Sequence, residues 1–208
     1  MSSPIFPGWN KVFLIRPSIK STHCIVSVQP GDIAIFRKAI RNRYTGKPIN
    51  MHIMSGDLQT DVMWAMGTEP VFSSRFITAL NESCISGWST YQVVLYDSSE
   101  HVVEGYHGLS VIGVCGNIDY SRSLMSQRDY PTGMHPSYRG YYFDESTWDG
   151  SDVFMASGSG HRFATESFRS VVDVNNITGL ALDLAKDVWV DPWIVQRHMT
   201  GKLLQNLD

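Results

Sequence analysis

"PVFSSRFITALNESCISGW" (Pro70–Trp88) and "HRFATESFRSVVDVNNITGL" (His161–Leu180) follow one pattern, and that pattern decides the fold. In the first stretch Ser73 is placed to cap a helix, its hydroxyl accepting a backbone N–H of the opening turn. Phe72 and Ile77 have the spacing of a hydrophobic staple. Phe76, Ile77, Leu80 and Cys84 recur at the helical period, and Gly87 stands where a left-handed residue would end the helix. "YQVVLYD" then reads as a strand. In the second stretch Thr165 is the cap, Phe168, Val171 and Val172 form the buried stripe, Gly179 is the stop and "LALDL" is the strand. The spacing predicts helices over Ser74–Ser83 and Glu166–Val174, each followed by a strand.

The two copies also align outside the helices. Asp61-Val62 matches Asp152-Val153, Gly67 matches Gly158 and Phe72 matches Phe163, all 91 residues apart. Phe76 with Phe168, Leu80 with Val172, Ile85 with Ile177 and Gly87 with Gly179 are 92 apart. Two copies are too few for a solenoid. The expected fold is α+β, with a mixed or mainly antiparallel sheet and two related helix–strand units. We read residues 1–208 as a single domain, with similar halves at about 10–118 and 138–208.

At 208 residues, with 43% hydrophobic and 18% charged residues, the chain is long and apolar enough to bury a core. A net charge of −3 argues against a whole-chain nucleic-acid footprint. "MSSPIFPGWNK" lacks the features of a signal peptide, and no stretch approaches the ~20 apolar residues of a membrane span. Three separated cysteines, Cys24, Cys84 and Cys115, form neither a disulfide framework nor a CxxC pair, so reduced thiols in the cytoplasm are expected.

Further out, "NKVFLIRPSIKSTHCIVSV" reads as two short strands, and "HVVEGYHGLSVIGVCG" as β structure interrupted by bends or bulges. Between the copies, Asp119–Gly150 holds seven aromatic residues in 32, against 12% for the chain, and almost no aliphatics. It reads as a long, poorly periodic, tyrosine-rich connection, of a length that is uncommon without a function.

The residue patterns leave several chemistries to weigh. His107, Cys115 and Asp119 could serve as base, nucleophile and orienter of a small hydrolase or transferase. A buried strand end is the plainer meaning of Cys115. His101 and His107 lack the regular close spacing of zinc ligands, and "DESTWDGSD" (Asp144–Asp152) is not a calcium loop, so turn and capping roles are expected there. "SGSG" (Ser157–Gly160) reads as a turn. No metal or cofactor is expected. Arg37, Lys38, Arg41, Arg43 and Lys47 form a basic segment that could meet an acidic partner, a phosphate or a nucleic acid, although few aromatics are interleaved with it. The central segment has the Tyr, Trp and Arg composition of an interface hot spot. Arg128, Tyr130, Tyr138, Arg139 and Trp148 are its candidate partner-binding residues.

Four stretches together carry a family resemblance: "PVFSSRFITALNESCISGWSTYQV", "GYHGLSVIGVCGNIDYSRS" (Gly105–Ser123), "RGYYFDESTWDGSDVF" (Arg139–Phe154) and "ITGLAL" (Ile177–Leu182). From Asp61 to Leu182 the chain resembles the bacterial polymorphic-toxin immunity proteins of immunity family eleven. The resemblance implies a cytoplasmic, non-catalytic protein that binds and neutralises a cognate secreted toxin domain. It carries over no catalytic residue.

Overall fold

A computed structural model describes residues 4–18, 23–40, 46–56 and 58–190. In chain order the elements are β1 (Val12–Pro17), β2 (Ile25–Val28), α1 (Ile33–Ala39), β3 (Ile49–Ser55), β4 (Val62–Ala65), β5 (Glu69–Ser73), α2 (Ser74–Glu82) and β6 (Trp88–Tyr96). Then come β7 (Val102–Val103), β8 (Tyr106–Val111), β9 (Gly113–Cys115), β10 (Leu124–Tyr130) and β11 (Gly133–Arg139). The last are β12 (Val153–Ala156), β13 (Arg162–Thr165), α3 (Glu166–Val174), β14 (Leu180–Leu184) and β15 (Trp189–Val190).

The fold is α+β but mainly β, with mixed sheets. Strands β3-β2-β4-β5-β8-β6 form a closed six-stranded barrel, because β3 also pairs in parallel with β6. A second sheet runs β14-β1-β13-β12-β9, and a third, small one runs β10-β11-β15. The two predicted helices lie at Ser74–Glu82 and Glu166–Val174. Ser73 caps the first as expected, accepting the Phe76 N–H at 3.2 Å.

The ladders of the two units have corresponding registers. Val62 faces Phe72 in the first hairpin, and Val153 faces Ala164 in the second. Phe72 therefore corresponds to Ala164 and not to Phe163. The extra residue of the second unit sits in the β12–β13 turn, whose length sets the register; matching by side-chain identity hid the shift. The correspondence extends to strands far apart in the chain. β8 lies between β5 and β6 as β1 lies between β13 and β14. Likewise β2 runs parallel to β4 as β9 runs parallel to β12. Thus β1 belongs to the second sheet and is followed by β2 in the first barrel, while β8 belongs to the barrel and is followed by β9 in the second sheet.

Where the units meet, each holds the turn that follows the other's helix. The buried Asp61 carboxylate accepts hydrogen bonds from the Thr178 N–H (3.0 Å) and hydroxyl (2.9 Å), the Ser73 hydroxyl (3.0 Å) and Arg75 (2.6 Å). Asp152 likewise accepts from the Ser86 N–H (3.0 Å) and hydroxyl (2.8 Å) and from the Thr165 hydroxyl (2.9 Å). Thr165 sits at the N-cap of α3, but its hydroxyl is spent on Asp152 and makes no cap bond. The Val62 N–H donates to the Thr178 carbonyl and the Val153 N–H to the Ser86 carbonyl, both at 3.0 Å. Gly87 and Gly179 serve this contact, not the helix ends. A Cβ on Gly87 would lie 2.0 Å from the Val153 carbonyl oxygen, and one on Gly179 would lie 2.0 Å from that of Val62. The left-handed residues that follow the helices are Cys84 and Asn176.

Three cores result. Between the units, Phe76 packs on Phe168 with ring centroids 5.7 Å apart, flanked by Leu80, Val172, Ile85 and Ile177. The barrel interior holds Val26, Met51, Met63, Val71 and Leu95. The second sheet encloses Tyr141, Phe143 and Trp148 together with Phe154 and Phe163.

Burial opposes ionisation of Asp61, but its hydrogen bonds from Arg75, Thr178 and Ser73 prevail and hold the carboxyl below the usual carboxylate range. A depressed folded-state value means that this contribution is complete above the unfolded value and is lost as pH falls through the folded one. Asp61→Ala should cost about 3 kcal/mol. Asp152→Ala, at a half-buried site with no arginine among its hydrogen bonds above, should cost about 1–2 kcal/mol. Urea unfolding at neutral pH measures both, and Asp61→Asn should flatten the acid limb of the stability curve.

Candidate partner-binding face

Asp119–Gly150 is not the irregular connection that its composition suggested. A 3-10 turn at Tyr120–Arg122 leads into the β10–β11 hairpin, and a second turn at Glu145–Thr147 follows it. The hairpin forms because two seven-residue strands flank Pro131-Thr132. Proline is preset for the first central position of a tight turn, and Gly133 follows where glycine is favoured. Its ladder runs from Leu124↔Arg139 to Tyr130↔Gly133, and Trp189 of β15 pairs with Arg139.

Directly opposed residues share a face. Leu124, Arg128 and Tyr130 of β10 therefore lie with His135 and Arg139 of β11 and Trp189 of β15. The Arg128 guanidinium stacks over the Trp189 ring at 4.7 Å, and Arg139 pairs with Asp187 at 2.6 Å. Tyr130 and Ser137 are hydrogen-bonded through their hydroxyls. Leu124 is 64% exposed and Trp189 39%. The fold thus brings Arg128, Tyr130 and Arg139 onto one face, on which Arg128 is exposed, Tyr130 and Arg139 are half-buried and Ser137 is buried.

The other two candidates are placed elsewhere. Tyr138 projects from the opposite face, beside Val190, and packs against the second aromatic core. Trp148 is 8% exposed, lies against Phe6 and Phe154, and donates its indole N–H to the Ser151 carbonyl at 3.0 Å. It fills the core and is not available to a partner. The same holds for Tyr141 and Phe143. Arg122 is also structural. Together with the Trp9 indole N–H it engages Glu145, whose carboxyl is held down to about 2, chiefly by Arg122.

Leu124, Trp189 and Arg16 belong to this face or its border and were not among the candidates. A groove of about 490 Å³ runs beside β14, bordered by Arg16, Asp183, Leu184, Asp187 and Trp189. A smaller one of about 290 Å³ meets it at Arg16, Val188 and Trp189 and reaches His161. The Arg16 guanidinium is paired with Asp183. His161 is half-buried against Tyr141 at 4.6 Å, and burial, with help from Arg162, pushes its pKa down.

The remaining candidates stay apart. His107 shares a hydrogen bond with Ser74 at 3.0 Å, on the barrel. Cys115 is buried in the second core, and burial pushes its thiol up to about 12, far from a reactive thiolate. The Asp119 carboxylate accepts from the Ser121 N–H and hydroxyl. His101 sits in a turn with Asp97. Asp144 caps its 3-10 turn, Asp149 binds the Val114 and Ser151 N–H groups, and Ser157–Gly160 turns between β12 and β13. In the basic segment Arg37, Lys38 and Lys47 are exposed, while Arg41 and Arg43 lie outside the described residues. Among the described residues there is no group of three metal-ligating side chains, and no helix is long and apolar enough to cross a membrane.

No family model matches the chain, and no curated protein matches it.

Cys84 is exposed while Cys24 and Cys115 are buried. A thiol reagent at pH 8 should therefore label one cysteine rapidly in the native protein and the other two only on unfolding, with mass spectrometry locating the label. Trp148→Ala should cost about 3 kcal/mol or more by leaving a cavity. Arg128→Ala should stay within about 0.5 kcal/mol of wild type. Thermal denaturation of the two variants separates core from surface.

Proposed function

We propose that this protein is a non-catalytic binding protein that acts in the cytoplasm to neutralise a cognate toxin by covering its active cleft. The observation that carries this reading is the β10–β11 hairpin, which presents Arg128, Tyr130, Arg139, Leu124 and Trp189 on one face outside all three cores. Exposed aliphatic and aromatic side chains beside stacked or paired arginines suit a protein interface: rings supply contact area at low entropic cost, and arginines supply forked hydrogen bonds. The resemblance to immunity family eleven supports the same reading. The buried, raised Cys115 speaks against the thiol-dependent alternative.

The test is protection. Expression of the cognate toxin domain should be survivable with the wild-type chain and lethal without it. The Arg128→Ala/Trp189→Ala double variant should bind that toxin more weakly by about 2 kcal/mol or more. Its thermal midpoint should stay close to wild type. A stable double variant with undiminished affinity and protection would move the interface away from the hairpin.

A further inference from the structure

We propose that the groove beside β14 receives an extended, acidic segment of a protein partner, added to the sheet as a further strand. The proposal rests on the binding reading above and specifies what the partner presents. β14 ends its sheet, and on the side away from β1 no strand lies beside it among the described residues. In the barrel, β3 lies on that side of β6 over Val93–Tyr96, which match Ala185–Val188, just beyond the end of β14. In the second unit the chain leaves β14 through the turn Ala185–Asp187 and pairs with β11, so the strand edge borders the 490 Å³ groove. Alternate residues of an antiparallel strand direct their N–H and C=O away from their partner. Another extended backbone pairs with such a row of groups.

Charge then selects the side chains. Around the groove Asp183 is engaged by Arg16 and Asp187 by Arg139. Arg128 has no carboxylate partner among the described residues, and its planar face rests on Trp189 at the groove's rim. Stacking fixes the guanidinium while leaving its edge available to grip a carboxylate. A segment whose backbone follows β14 would reach that edge with an aspartate or glutamate side chain.

The probe is an end-blocked, fluorescein-labelled decapeptide alternating glutamate with valine, titrated with the full chain and followed by anisotropy. Saturable binding is expected. It should vanish when lysine replaces glutamate or when alternate peptide amides are N-methylated. It should weaken about tenfold for Arg128→Gln, which removes a charge-assisted hydrogen bond. No binding of the glutamate peptide, or binding unaffected by N-methylation or by Arg128→Gln, overturns the proposal. The toxin-protection assay is read separately. If the peptide fails while the double variant still loses protection, neutralisation stands with its contacts confined to the hairpin. If the peptide binds as expected while the wild-type chain gives no protection, the groove stands and the neutralisation reading falls.

Discussion

The turn after each helix must come into van der Waals contact with the first strand of the other unit, and only a residue without a side chain fits there. Gly87 against Val153 and Gly179 against Val62 satisfy that demand twice. The approach lets the Val62 and Val153 N–H groups find carbonyls across the boundary, and it brings Thr178 and Ser86 within reach of Asp61 and Asp152. Once these turns are held, α2 and α3 face each other and the Phe76–Phe168 contact follows. The relative placement of barrel, second sheet and helices thus depends on a close backbone approach, with a carboxylate completing each side. Side-chain packing then fills the space so defined.

Against that shared frame the units differ in one slot. Between β2 and β4 the chain makes α1 and β3, and β3 closes the barrel around an interior rich in aliphatic side chains. Between β9 and β12 no strand occupies the corresponding position. The opening is filled instead by the rings of Tyr141, Phe143 and Trp148 against Phe154 and Phe163. Large rings suit this task because each buries much area and packs edge to face without a regular backbone. The hairpin is the part of this insertion left over once the interior is filled, and it stands outward from the body, tied to it by Tyr138 and by the pairing of β11 with β15.

Legibility in the sequence followed the range of the interaction. The helices and the Ser73 cap were readable because period and capping act within a few residues. The register of the second hairpin was not, because it follows from turn length, and Phe163 offered a more attractive match to Phe72 than Ala164 did. Aromatic abundance revealed that Asp119–Gly150 mattered but could not separate Trp148, which plugs a core, from Tyr130, which lies on a surface. Two seven-residue strands around Pro131-Thr132 were a local signal for the hairpin, obscured by the count of tyrosines. Trp189 joins the face through strand pairing some fifty residues beyond Arg139, and Arg16 borders it from the opposite end of the chain. Nothing local marks either one.

The exchanged strands bear on the order in which the chain is made. Every strand of the barrel comes from residues 25–111, so that unit has all its partners before β12, β13 and β14 have been synthesised. β1 is made before the barrel strands and completed after them. Its neighbours are β13 and β14, and Phe13 waits for Leu184. From the completion of the barrel until β13 is made, the apolar run Val12–Ile15 therefore has both edges bare. Such an edge is an aggregation hazard, and closing so long a loop is slow. A cell making this protein in quantity has to shield β1 until β13 and β14 have been made.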